Sequence, residues 1–135
     1  MRKIENETIP FGTFAAFNYF GLVFIKRLLS AEEENHEAIH TRQQIEWLIL
    51  YTAVLLVLIL GCGWSWWWLC SVPFCFHVIL YCVLWFIEWL LPPYDRAYRD
   101  VPLERECYDN QADKMYLKRR KLFAWIKYLF KRPKE

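Results

Sequence analysis

At 135 residues, 56% of them hydrophobic and 19% aromatic, the chain is too apolar for a water-soluble domain of its size, and its formal net charge of +2 provides no extended basic surface for nucleic acid. The mean hydropathy is only +0.07 because the charges are confined to the two ends. No Asp, Glu, Lys or Arg lies between Glu46 and Glu88, a run that points to a lipid bilayer as partner.

Residues 1–29 form an N-terminal apolar segment. Its apolar part, 11–25, is too short to span a bilayer and lacks the small-residue cleavage site of a secretory signal. Phe11, Phe14, Phe17, Phe20 and Phe24 fit neither a helical nor a strand period cleanly. Two short strands turning near Asn18 or an interfacial helix are the alternatives, and the reading favours a short β-hairpin.

Residues 30–60 read as one helix. Ser30 followed by Glu33 forms a capping-box pattern, Glu32 to Glu34 place negative charge in the first turn, and no Gly or Pro interrupts 31–60. This helix carries His36-Glu37-Ala38-Ile39-His40, two of the three histidines of the chain bracketing a glutamate. Positions i and i+4 share a helix face, so His36 and His40 can bind one Zn²⁺ while Glu37 holds a water beside it, the H-E-x-x-H arrangement of a zinc hydrolase. Beyond Glu46 the helix runs into a first membrane span.

Residues 61–71, with Gly61, Gly63 and the Trp64 to Trp68 cluster, read as a Trp-rich turn at the headgroups, and 72–91 as a second span of about 30 Å. The predicted fold is therefore mainly α: a transmembrane helical hairpin with helices on one side of the membrane. The first span is short and needs flanking residues or local bilayer thinning to cross. A hairpin returns the chain to its starting side, which carries Arg2, Lys3, Lys26, Arg27, Arg42, Arg96, Arg99 and a basic tail from Lys118 to Lys134. By the positive-inside rule, both termini are cytoplasmic and the protein is multi-pass. His77 falls in the outer part of the second span, far from His36 and His40, and reads as a hydrogen-bonded core residue. The five cysteines show no C-x-x-C pair and read as small apolar fillers. No repeat, linker or low-complexity tract divides the chain, so 1–135 is one unit.

Residues 92–135 supply cytoplasmic helices, and among them Leu103 to Asn110 offers the acidic candidates for a third metal ligand. Asn35-His36-Glu37-Ala38-Ile39-His40-Thr41-Arg42-Gln43, then Glu88-Trp89, Ala97-Tyr98-Arg99 and Glu104-Arg105-Glu106, resembles a family of small bacterial membrane-associated proteins with an N-H-E-x-I-H-x-x-Q motif. The similarity runs from about Phe17 to Tyr128 and implies a gluzincin-like metal site in a bacterial inner membrane. In gluzincins, zinc peptidases whose third ligand is a glutamate, that ligand comes from a later helix with a polar residue one turn on. The resemblance thus implies Glu106 as ligand and Asn110 in support. Asp109 and Asn110 stand where Ala and Asp occur in the R-E-x-x-A-D pattern of membrane-embedded gluzincins. Glu104 and Glu88 are the alternative third ligands. Glu104 points about 200° around the helix from Glu106, so the two cannot serve one metal equally. Asn35 and Gln43 are further candidates to orient the imidazoles, and Tyr108 and Tyr98 to support an oxyanion.

Two functions follow from this reading. One is a membrane-associated zinc metallopeptidase in which Glu37 is the general base and membrane-proximal peptide segments are substrates. The other is a non-catalytic membrane interaction protein whose metal staples the pre-span helix to the post-hairpin helix. The peptidase is the leading reading; the sequence displays no evident substrate-binding edge strand or cleft domain, which makes the second a substantial alternative.

Overall fold

The computed structural model describes residues 1–9, 12, 14–91 and 96–130; Phe11, Pro92, Pro93 and the last basic residues, Lys131, Arg132 and Lys134, lie outside them. The chain is mainly helical with a small sheet. Strands β1 (Arg2–Glu5), β2 (Ala16–Tyr19) and β3 (Leu22–Ile25) are arranged in the order β1-β3-β2. β2 and β3 form the expected hairpin, but its turn is at Phe20-Gly21 rather than Asn18. Both turn residues have positive φ, 48° and 87°, as a two-residue turn between antiparallel strands requires. The third strand, β1, joins in parallel, Arg2 opposite Leu22 and Glu5 opposite Ile25.

Helix α1 (Ala31–Cys62) begins where the capping box sets it: Glu33 N–H donates to Ser30 Oγ, and Ser30 N–H donates to the Glu33 carboxylate. Gly63, at φ 70°, ends it in the left-handed conformation. Exchange of Ser30 for Ala removes the first bond and is expected to cost about 1 kcal/mol; a thermal midpoint unchanged from the parent protein would contradict this. The chain then turns over in very few residues. A 3-10 stretch, Trp66–Phe74, leads into a π-helical stretch, Cys75–Tyr81, and an α-helix, α2 (Cys82–Trp89). The expected headgroup turn over 61–71 is thus much shorter, and most of the Trp cluster belongs to the second helical run.

Two helices, Ala31–Cys62 and Trp66–Trp89, are long and apolar enough to cross a membrane. They lie side by side in opposite directions, since Trp47 Nε1–H donates to Cys75 O at 2.8 Å and the Tyr51 and Ser71 hydroxyls share a 2.8 Å hydrogen bond. After them come α3 (Ala97–Asp100), α4 (Pro102–Asn110), α5 (Tyr116–Arg119) and α6 (Ile126–Leu129). The main apolar cluster joins Phe76 and Leu80 of the second apolar helix to Val101, Leu103 and Trp125, and a smaller one joins Ile39 of α1 to Cys107 and Tyr116. Leu103 and Cys107, one turn apart and fully buried, form the seam by which α4 lies on α1.

Candidate metal centre

The seam determines where the acidic residues go. Glu104 and Glu106 flank the Leu103–Cys107 stripe at roughly 80° on either side, so each is buried at one edge of the α1–α4 contact, and on opposite edges. Glu104 faces the two histidines. Its Oε2 lies 3.2 Å from His36 Nε2 and its Oε1 3.2 Å from His40 Nε2, while the two Nε2 atoms are 3.1 Å apart. Glu106 faces the other way, where both its oxygens meet the Arg120 guanidinium, Tyr116 donates its hydroxyl at 2.7 Å and Gln43 its amide at 3.0 Å. The residue placed against the histidines is therefore Glu104, and the carboxylate expected there is held by an arginine.

The imidazoles are oriented by two glutamines. Gln43 donates its amide to Leu103 O at 3.0 Å as well as to Glu106, which leaves its Oε1 to accept from His40 Nδ1–H at 2.9 Å. His40 Nε2 is then the lone-pair nitrogen of the neutral ring, aimed at His36. His36 Nδ1 pairs with Gln111 Oε1 at 3.0 Å in the same fashion. Two imidazole nitrogens and a carboxylate thus converge on one point, where either a shared proton or a bound cation balances them. Among the described residues, the buried Glu104 Oε2 has no hydrogen-bond partner beyond its 3.2 Å contact with His36, and Oε1 accepts from the Tyr81 hydroxyl at 3.0 Å. Burial works against a charged His40, but the adjoining Cys107 and Glu104 outweigh it and hold the imidazole well above its ordinary range. Burial likewise opposes the Glu104 carboxylate; the two histidines overcome it and keep the carboxyl well below the usual range.

Cys107 is the unexpected neighbour. His36, His40 and Cys107 form a group, its ligand atoms within 4.8 Å of one another, that can hold a metal ion. Its Sγ is 3.6 Å from His40 Nδ1, on the side of the ring turned away from His36. Burial pushes its thiol up to about 11 against the opposing pull of the adjoining His40. Ligand atoms around a tetrahedral zinc are separated by about 3.3 Å. The contacts among His36, His40 and Glu104 are 3.1 to 3.2 Å, the carboxylate reaching each imidazole through a different oxygen, and these spacings are closer to that size than the 4.8 Å spread of the set containing Cys107.

Glu37 lines a cavity of about 320 Å³ together with His36, His40 and Glu104, and no hydrogen bond or ion pair engages its carboxylate among the described residues. One wall of this cavity is β2, through Ala16, Phe17 and Asn18. β2 is an edge strand, and in a two-residue hairpin the pairing of Tyr19 with Leu22 turns the N–H and C=O of Ala16 to the open side. The edge strand and cleft that the sequence does not display are therefore both present. Asn18 fastens them to α1: its amide donates to Glu37 O and Thr41 Oγ1, and its carbonyl accepts from Gln44.

His77 also lines this cavity, donating from Nε2 to Asn18 O at 2.8 Å, rather than lying far from His36 and His40. Because the second apolar helix begins at Trp66, residue 77 falls level with Gln44 and well away from the Trp-rich turn. Of the other candidates, Tyr108 packs edge-on to the His36 ring at 4.9 Å and Tyr98 lines the cavity. Asn35 instead donates to the carbonyls of Asn110, Gln111 and Asp113. Asn110 bonds Glu106 O and the Tyr128 hydroxyl, so neither asparagine touches a histidine. Glu88 pairs with Arg105 at 3.9 Å. Sequence reasoning missed Gln111, Tyr81 and Cys107 as neighbours of the histidines. Glu104, Tyr108 and Gln111 at i, i+4 and i+7 carry a helical signal that can be read in advance; Tyr81 carries none.

Neither a protein-family model, nor a curated protein, nor a solved structure matches this chain.

Proposed function

We propose that the chain is a membrane-associated zinc peptidase of gluzincin type in which His36, His40 and Glu104 hold the metal. The observation that carries this reading is the convergence of three donors on one point, with the free carboxylate of Glu37 in the same cavity. Zinc bound there supplies Lewis acidity and brings the pKa of a water toward neutrality. Glu37 takes the proton of the attacking water and hands it to the leaving amine. The open edge of β2 holds an extended peptide across the cavity by main-chain hydrogen bonds, and its side chains meet Phe17, Phe76 and Tyr81. The two apolar helices form a hairpin in the bacterial inner membrane with both termini cytoplasmic, which makes membrane-proximal polypeptide segments the substrates. A purely structural metal is disfavoured because Arg120, bridging Glu46 of α1 and Glu106 of α4, already fastens these helices together.

The test is metal content and peptide cleavage of the detergent-purified chain. About one zinc per chain is expected, with cleavage lost on chelation and restored by zinc. Glu104→Gln should empty the site, while Glu106→Gln, in a protein that remains folded, should keep most of the metal. Full zinc retention by Glu104→Gln sinks the ligand assignment; metal without cleavage of any membrane-proximal peptide sinks the peptidase.

A further inference from the structure

The sequence places the metal site at the cytoplasmic membrane surface, where the His36 helix runs into the first span. The packing of the second apolar helix bears on how deep that site lies. With Cys75 level with Trp47, that helix continues about 20 Å to Trp89, past the levels of both His40 and His36. Two contacts fix its far half against α4: Tyr81 donates to Glu104 at 3.0 Å, and Glu88 meets Arg105 at 3.9 Å. Between them Leu84 turns inward to the main apolar cluster, whereas Val83, Phe86 and Ile87 face outward, 53%, 51% and 47% exposed. The donors of the metal centre are thus separated from an exposed apolar surface by the thickness of the second apolar helix.

What covers that surface is indicated by its continuity and its ends. The same helix exposes Trp66, Trp67, Phe74 and Val78 at its start and Trp89, Leu90 and Leu91 at and just beyond its finish, with no charge on the outer row. Trp67 and Trp89 are separated by a helical rise of roughly 33 Å, which matches two interfacial tryptophan belts across one hydrocarbon core. Near the level of the histidines the surface is also polar: Arg42 of α1 and Arg2 and Lys3 of β1 are exposed, Lys3 pairing with Glu34 of α1. We infer that the metal centre is sunk to the inner boundary of the bilayer, lipid covering the outer face of the second helix as far as Leu91 while the Arg42 and β1 flank stays in water. A modest tilt of the hairpin, within the range of membrane helices, accommodates both. This inference rests on the membrane part of the reading above and is independent of the metal.

The test uses the unmodified chain in phosphatidylcholine vesicles containing a lipid with a diazirine in its acyl chain, with photoadducts located by mass spectrometry. Adducts are expected in 83–90 as well as in 54–60. Adducts in 54–60 alone overturn the inference and leave the hairpin standing, and adducts in neither overturn both. A second measurement places single nitroxides at Phe86→Cys and Leu90→Cys after replacement of the exposed Cys62, Cys70 and Cys82 by Ala. Their oxygen-to-nickel-chelate collision ratio should match that of Val57→Cys and exceed that of Arg42→Cys. Ratios equal to that of Arg42→Cys, or spin–spin broadening from a second copy seated on this face, overturn the inference. Neither readout involves zinc, so its failure is distinct from failure of the peptidase reading.

Discussion

Glu37→Gln is expected to lower peptide cleavage by roughly 10²- to 10⁴-fold, the usual worth of a positioned general base, while zinc content stays at the parental level. The side chain has nearly the same size and sits in the cavity without a hydrogen bond or ion pair among the described residues, so the substitution removes proton transfer and little else. Cleavage in the variant within a few-fold of the parent would exclude Glu37 as the base. Loss of zinc together with activity would show instead that Glu37 acts in holding the metal, so both quantities are to be measured on the same preparation.

Arg120→Met is expected to destabilise the fold by about 3–5 kcal/mol, the cost of leaving a buried charge without its partner. The Arg120 guanidinium meets both oxygens of Glu46 and both of Glu106. All three side chains are at most 7% exposed. Without the arginine, Glu106 keeps Tyr116 and Gln43, and Glu46 keeps the Phe123 N–H, but two carboxylates then face each other in the interior. The measurement is the thermal midpoint in detergent by circular dichroism. Adding Glu46→Gln to Arg120→Met should recover part of the loss, since it removes one of the stranded charges. An unchanged midpoint in the single variant would mean that the network contributes nothing to stability.

Local signals in the sequence survive well in the structure where one helix carries them. The Ser30–Glu33 box, the i, i+4 histidines and the apolar run after Glu46 all lie on α1, and each depends only on helical periodicity. The hairpin β2–β3 was legible as apolar segments around a turn, yet the turn position was not, because Phe20 occupies a left-handed position usually given to Gly or Asn. β1 was invisible: four residues without alternation, ordered only by parallel pairing to a strand much later in the chain. The choice between Glu104 and Glu106 was undecidable from motif alone. It depends on which edge of the Leu103–Cys107 seam faces His36, and that is set by Arg120, a residue with no local mark to distinguish it from the cations around it. His77 was misplaced for a related reason, since its level depends on where the second helix begins.

The order of the donors along the chain has a consequence for how the protein is made. His36 and His40 precede the two apolar helices, and Glu104 follows them. During synthesis the two imidazoles emerge first, as a pair whose affinity for a metal is weak without a carboxylate beside them. Glu104 joins them only after both apolar helices have been made and have turned back on each other. Gln111, which orients His36, arrives later still, and the Arg120 clamp last. On the proposed reading, metal loading is therefore a late event of biogenesis, and a chain truncated before α4 lacks Glu104 beside its two histidines.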